Sequence, residues 1–440
     1  MYIKSVEIKN IRSIQKFKME FENPAGWHVL IGDNGAGKSS VVRSIAALLI
    51  GPEQIQAVFP VWNEWLRYNE TEGFIEIQLT RDEKYDKISQ TRSPKKPIQN
   101  IFSFKRNGKI DFTSNIKAAS INPLNFNWGS NNGWFSVAFG PFRRFTGGEE
   151  KRNKVFYSAP KAGAHLTVFG EETALTETLD WIKELDRKRL KQKENNDLGT
   201  VQEPESLYGN ESELIYQNIK KFINESGLLP HNAHFEKVDL DGDLIFTDGN
   251  KSEVKVIQMS DGYRSILSLT FELIRQLLRV YGAEGVFKKI GNNQMHIDLP
   301  GVVLIDEIDA HLHPTWQTRI GQWFIKYFPN IQFIVTTHSP LICRACDKGT
   351  IWRLAAPGSE SESKQIEGDD RNRLVFGNVL DAYGTEIFGA DVTINVDSTE
   401  MKEELVQLSK KKTAGKISTE EENKLQELRN TFSTDDKLEL

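Results

Sequence analysis

The sequence has 440 residues, 38% hydrophobic and 27% charged, a balance that fits a folded globular chain and excludes a low-complexity one. No apolar run approaches the roughly 18 residues of a membrane helix and the first residues lack a signal-peptide pattern, so a soluble cytoplasmic protein without a membrane partner is expected. A net charge of −5 excludes a bulk polyanion binder, and two cysteines exclude a disulfide framework.

In chain order, Ile3, Val6, Ile8 and Ile11 alternate with Lys4, Glu7, Lys9 and Arg12, which predicts a half-buried strand. Trp27–Ile31 predicts a second strand that runs straight into residues 32–40, GDNGAGKSS. Val41–Leu49 follows with apolar residues at helical spacing and stops at Gly51-Pro52. Phe74–Leu79 and Ile101–Phe104 predict short strands. Around them Arg81, Lys84, Lys87, Arg92, Lys95, Lys96, Lys105, Arg106 and Lys109 gather positive charge, readable as a solvated face or as a nucleic-acid patch. Ile121 to Gly148, rich in Asn, Gly and aromatics, predicts a loop.

From Ala174 to about Glu194 the pattern is helical, with Leu175, Leu179, Ile182, Leu185 and Leu190 on one side. Asn195 to Asn210 is a polar break and Leu214 to Ile223 a returning helix, together a helical hairpin inserted as an arm. Asp239 to Ile257 predicts a β-hairpin with Asp241-Gly242 and Asp248-Gly249 turns. A long amphipathic helix, Ser265 to Tyr281, precedes a loop to Pro300 and two buried strands, Val302–Ile305 and Ile331–Val335. The tail from Ser398 predicts charged helices, the last opened by the capping box Ser418-Thr419-Glu420-Glu421.

Gly32-x-x-x-x-Gly37-Lys38-Ser39, between a strand and a helix, has the pattern of a phosphate loop. Its glycines let consecutive N–H groups face phosphates at a helix N-terminus. The expected ATP-binding set is Gly32, Asn34, Gly35, Gly37, Lys38, Ser39 and Ser40, with Lys38 on the β- and γ-phosphates. The apolar strand 302–305 delivers Asp306 beside that loop, so Ser39 and Asp306 form the expected Mg²⁺ set and Glu307 the group that polarises the attacking water. Residues 258–265, QMSDGYRS, open a helix with Ser260 and Gly262, readable as a second anion site or as an ordinary cap. His338, in Thr336-Thr337-His338-Ser339-Pro340, ends the strand after the Asp-Glu strand.

These four elements in this order resemble the ABC-type ATPases. The resemblance implies an α/β fold: a P-loop NTPase core of mixed sheet and helices, an antiparallel β part, a short helical arm and a helical C-terminal appendix. It implies a head-to-tail homodimer, extendable to a higher oligomer, in which Ser260 and Gly262 of one copy reach the γ-phosphate bound by the other. Glu307 and His338 are then the catalytic pair. More than two hundred residues separate Lys38 from Ser260, which resembles the SMC, RecF and OLD branch, as does Asp306-Glu307-Ile308-Asp309-Ala310-His311-Leu312-His313-Pro314. The expected divisions are 1–173 and 231–397 for two ATPase lobes, 174–230 for the arm and 398–440 for the appendix. Arm helices of about 20 residues, roughly 30 Å, are too short for a tethering coiled coil.

Phe139-Gly140-Pro141-Phe142-Arg143-Arg144, Leu166–Phe169 and the arm helix with Trp181 resemble the ATPase subunits of bacterial anti-phage systems such as Septu and PARIS. That resemblance implies a nucleotide-gated sensor or scaffold that controls a separate nuclease effector. The alternative is a RecF- or SMC-like repair ATPase that clamps duplex DNA. OLD nucleases carry a Toprim acidic constellation after the switch histidine; none is found after His338, so the chain itself is expected not to cut. Arg143 or Arg144 would stabilise nucleotide charge, form a surface pair, or stack on Phe142 or Phe145. Cys343-x-x-Cys346 reads as helical packing, His311-x-His313 lacks partner ligands, and Asp239-x-Asp241-Gly242-Asp243 reads as a turn.

Overall fold

The alternation near the N-terminus folds as expected into β1 (Tyr2–Ile11), with Val6 and Ile8 inward and Lys4 and Lys9 in solvent. It pairs with β2 (Ile14–Glu20) and β4 (Glu72–Thr80), and β5 (Ile98–Asn107) and β6 (Lys109–Asn115) extend an antiparallel sheet ordered β2-β1-β4-β5-β6. The computed structural model describes residues 1–58, 62, 64–86, 98–107, 109–115, 121–129, 134–143, 159–170, 176–197, 206–290, 294–359, 362–378, 382, 396–413 and 416–432. Lys87, Arg92, Lys95, Lys96, Arg144, Phe145, Leu175 and the arm tip at 198–205 lie outside the described residues. Contacts divide the chain into two units, Met1–Val379 and Leu380–Leu440.

A second sheet carries the site. Its strands are β3 (Gly26–Ile31), β7 (Ser136–Phe139), β11 (Gly301–Ile305), β12 (Ile331–Thr336), β13 (Ile351–Arg353) and β14 (Lys364–Ile366). The order is β14-β13-β3-β12-β11-β7, parallel throughout except for β14. Strands β3, β11 and β12 are fully buried, which is why they read as continuous apolar runs rather than alternations. β7 corrects the loop expected for 121–148: four buried residues pair in parallel with β11, too short a run for periodicity to reveal.

Between the two sheets runs α1 (Lys38–Ile50), packed on β4 and β5 of one and β12 and β7 of the other. Its polar residues gather in the first two turns, and from Ser44 to Ile50 every residue is buried, which is why that half is almost wholly apolar. Its last carbonyls are satisfied by side chains: Leu48 O accepts from Asn100 Nδ2 at 2.9 Å and Trp128 Nε1 at 2.7 Å, and Leu49 O from Asn127 Nδ2 at 3.3 Å. Gly51, at φ 95, ends the helix in the left-handed region and α2 (Pro52–Val58) begins on a proline. Gln332 of β12 joins the sheets, accepting the Ile3 N–H at 2.7 Å and donating to the Ile3 carbonyl at 2.9 Å.

Two one-turn helices, α3 (Pro160–Gly163) and α4 (Leu166–Phe169), lead to the arm, α5 (Thr176–Asp197) and α6 (Ser206–Glu225). Both arm helices reach further toward the tip than the polar composition of 195–210 predicts. They pack through Leu179, Ile182, Tyr216 and Ile219, with the Arg189 guanidinium 4.1 Å above the Tyr216 ring. A three-stranded antiparallel sheet follows: β8 (His234–Val238), β9 (Leu244–Thr247) and β10 (Glu253–Lys255). Among the described residues, the remaining α-helices of the first unit are α7 (Asp261–Phe287, broken at Gly282), α8 (Pro314–Tyr327) and α9 (Gly368–Phe376). Among the described residues no helix is long and apolar enough to cross a membrane. In the second unit α10 (Val396–Thr413) and α11 (Thr419–Phe432) form a hairpin around Leu408, Leu425 and Leu428.

Candidate nucleotide site

Three adjacent strand ends build the site. In register, Leu30 of β3 lies opposite Thr336 of β12, and Val335 lies opposite Ile305 of β11. The loops that leave these strands, 32–37, 337–339 and 306–313, therefore open on one sheet edge, where parallel sheets bind ligands. Gly32, Gly35 and Gly37 have φ of 151, 79 and 102, a curl that side-chain-bearing residues resist. A β-carbon on Gly37 would stand 2.8 Å from Ile14 and from the Ser13 hydroxyl, so the hairpin turn between β1 and β2 presses directly on the loop.

Asp33, Asn34 and Gly35 are exposed, Ser39 is half-buried, and Lys38 and Ser40 are buried. The Lys38 ammonium donates to the carbonyls of Gly32 at 2.7 Å and Asp33 at 3.1 Å. Burial lowers its pKa below the ordinary lysine range, and the carboxylates of Asp306, Glu307, Asp33 and Asp309 oppose that shift. α1 is capped by Gly37, which supplies no side-chain hydrogen bond to its first turn.

Asp306 is 1% exposed at the end of β11. The Thr336 hydroxyl donates to its Oδ1 at 2.6 Å and accepts the Glu307 N–H at 2.8 Å, so one side chain orients both acids. Glu307 has φ 49, a left-handed conformation that costs a non-glycine residue about 1–2 kcal/mol. Such strain persists only where its surroundings over-determine it. His338 is exposed at the end of β12, and its N–H donates to Asp309 Oδ2 at 3.3 Å. The geometry thus brings Lys38, Ser39, Asp306, Glu307 and His338 to one edge.

Ser260, exposed, is the N-cap residue of α7, and its hydroxyl makes no capping bond. A β-carbon on Gly262 would lie 2.9 Å from the His311 carbonyl; glycine lets this turn sit against the loop that follows Glu307. Cys343 and Cys346 are buried free thiols, the first inside and the second just after the 3-10 turn Pro340–Ala345. The Asp239 carboxylate accepts the N–H groups of Asp241 and Asp243 at 3.0 and 2.8 Å, closing a turn.

Arg143 corrects the expectation that it meets nucleotide charge, a surface partner or a ring. It is 4% exposed, and its guanidinium donates to Gly140 O and Asp306 O from Nη1, to Glu307 O and Ile308 O from Nη2, and to Ser265 Oγ from Nε. Burial pushes its pKa down to about 10, against the attraction of Asp306, Asp309 and Glu307, and it stays charged at neutral pH. Sequence reading names Thr336 and Arg143 but not the partners that the fold gives them. Thr336 lies two positions before His338 and was readable as a hydroxyl at a strand end; nothing local announces what Arg143 touches.

Two family models match the chain: one described as an AAA ATPase domain, over residues 1–132, and one described as "AAA domain, putative AbiEii toxin, Type IV TA system", over residues 171–344. The chain is 28% identical over 359 residues to the Septu protein PtuA of Bacillus mycoides (strain KBAB4), covering 80% of this chain and 40% of that protein. It is 37% identical over 137 residues to the retron Ec83 probable ATPase of Escherichia coli, covering 31% of this chain and 23% of that one. The chain therefore spans less than half the length of these curated relatives. Among solved structures, the Smc head bound to the C-winged helix domain of ScpA aligns with a TM-score of 0.46 at 16% identity, covering 84% of this chain and 98% of that one. Motif order, sheet order and sequence matches together give an α/β chain with a P-loop ATPase core that is similar to the Septu and retron ATPases.

Proposed function

We propose that this chain is an ATPase that closes as a homodimer around two ATP and gates a separate nuclease effector in bacterial anti-phage defence. The observation that supports the reading is the convergence of a desolvated Lys38 with Asp306 and Glu307 on the edge formed by the ends of β3, β12 and β11. The phosphates face the Lys38 ammonium and the first turn of α1. Mg²⁺, held by the Ser39 hydroxyl and through water by Asp306, would neutralise charge on the β- and γ-oxygens. Glu307 orients and polarises the attacking water, and His338 reads the γ-phosphate. The exposed Ser260 hydroxyl, beside Gly262, serves the triphosphate of the second copy.

ATP binding closes the dimer and loss of the γ-phosphate loosens it, which supplies the effector with two distinct surfaces. The similarity to Septu and retron ATPases supports the defence role. The test compares wild type with Glu307→Gln for phosphate release and for mass in solution with and without ATP. Release should fall by about 100-fold or more, with an ATP-trapped dimer. Unchanged release, or one mass throughout, defeats the catalytic and dimer assignments respectively. The effector assignment fails if the chain, produced with its genomic neighbour, neither binds that product nor alters phage plating.

A further inference from the structure

The guanidinium of Arg143 is buried away from solvent, yet none of its hydrogen bonds goes to a carboxylate. Its acceptors are neutral: Asp306 O at 2.8 Å, Gly140 O and Glu307 O at 3.0 Å, Ser265 Oγ at 3.2 Å and Ile308 O at 3.5 Å. A buried cation is retained only where its surroundings compensate it, and here the compensation comes from the backbone of the segment that carries Asp306 and Glu307. The Glu307 peptide is consequently gripped on both sides. Its N–H is held by the Thr336 hydroxyl, and its carbonyl accepts from both Arg143 Nη2 and the Ala310 N–H at 3.0 Å, around a left-handed φ of 49. The remaining donor, Nε, reaches Ser265 in the second turn of α7, the helix that Ser260 opens. The backbone carbonyl of Arg143 in turn accepts from Ser268 Oγ at 3.4 Å.

We propose that Arg143 is the positioning residue that locks the Glu307 backbone in its left-handed conformation and ties it to the Ser260 helix, so that turnover, but not ATP binding, depends on it. This rests on the ATPase reading above. Glu307 is held by an arginine rather than by glycine-like freedom, which makes its carboxylate direction a function of where α7 stands. A movement of the Ser260 turn is thereby passed to the water-polarising acid through one side chain. Lysine cannot substitute, because a single ammonium lacks the planar fork that spans Asp306, Glu307 and Ser265 together.

The test measures equilibrium ATP binding and kcat for the full chain as wild type, Arg143→Lys, Ser265→Ala, Glu307→Gln and the Arg143→Lys, Glu307→Gln double variant. For Arg143→Lys, kcat should fall roughly 10- to 100-fold while ATP affinity stays within about threefold. Ser265→Ala, a milder change that keeps the fold safe if Arg143→Lys does not, should lower kcat about threefold with affinity unmoved. In the Glu307→Gln background Arg143→Lys should add nothing, since it acts through that carboxylate. Affinity and kcat falling together, additive losses in the double variant, or both single variants at wild-type kcat overturn the inference. A wild type that binds ATP without turnover overturns the ATPase reading and this inference with it.

Discussion

Buried charge and exposed charge divide the molecule between its two units. In residues 1–379, Lys38 is 6% exposed, Arg143 4% and Asp306 1%, and the acid that follows Asp306 sits in a left-handed conformation. Among the described residues of 380–440, the pairs Lys411–Glu421 and Lys412–Glu422 lie at the surface, and the buried cluster is Leu408, Leu425 and Leu428 with Met401, Leu405 and Ile417 packed against it. The first region violates local preferences and holds the violations with hydrogen bonds from distant strands. In the described part of the second, a capping box opens the last helix and the ion pairs lie at the surface. Burial makes a charge expensive unless its partners are in place, so the first region is specific and sensitive, whereas the second is tolerant.

The largest expected effect tests the buried end of that contrast. Lys38→Ala removes the one ammonium that meets Gly32 and Asp33 inside the loop. ATP affinity should fall by about 100-fold or more, the loss of a charge-assisted contact to phosphate. Equilibrium titration with a fluorescent ATP analogue checks it, and retained tight binding would remove Lys38 from the site. Stability should change little or rise, because a desolvated cation disappears with the side chain.

Acid should separate the two regions next. Burial pushes His28 and His165 down to about 4 from the ordinary 6.5. Both are neutral when folded and take up a proton on unfolding, so their contribution is complete above pH 6.5 and is lost as pH falls toward 4. Each contributes at most about 1.4 kcal/mol per pH unit in that window. In the second unit Glu421 and Glu422 are held below 4.5 by hydrogen bonds to Lys411 and Lys412, a contribution present above 4.5 and lost only below it. All nine tryptophans lie in the first unit, so their fluorescence in urea reports that unit alone. Its midpoint should fall from pH 6.5 to 4.5, and His165→Gln should flatten that slope by about half. An unchanged slope in the variant would show that His165 is not a buried neutral group.

The same contrast explains what the sequence disclosed. The phosphate loop, the Asp306–Glu307 strand end and the Ser418 box are legible because each is defined by residues within a few positions of one another. The parallel order around β3 follows from two apolar runs behind those motifs. β7 was hidden because four residues carry no period and their partner, β11, lies more than 150 positions away. Arg143 was singled out, but its partners were hidden for the same physical reason. Its meaning depends on oxygens contributed by residues 140, 265, 306, 307 and 308, which only the folded chain assembles.

The smallest effect belongs to the exposed end. Ser418 and Glu421 exchange hydrogen bonds reciprocally: the Ser418 N–H donates to the Glu421 carboxylate at 3.0 Å, and the Glu421 N–H donates to Ser418 Oγ at 3.2 Å. α11, at 14 residues, is near the length at which a helix is marginal in water, so its first turn depends on that box and on Leu425 and Leu428 behind it. Ser418→Ala should cost about 1 kcal/mol, read as faster amide exchange across 419–429. Lys411→Ala, which removes one exposed pair, should speed that exchange less than Ser418→Ala does, and the difference should vanish in high salt. If the two variants rank the other way, the ion pairs rather than the cap hold the hairpin, and the solvent-exposed charges of the second unit would have to be credited with the kind of energy that the first unit obtains by burial.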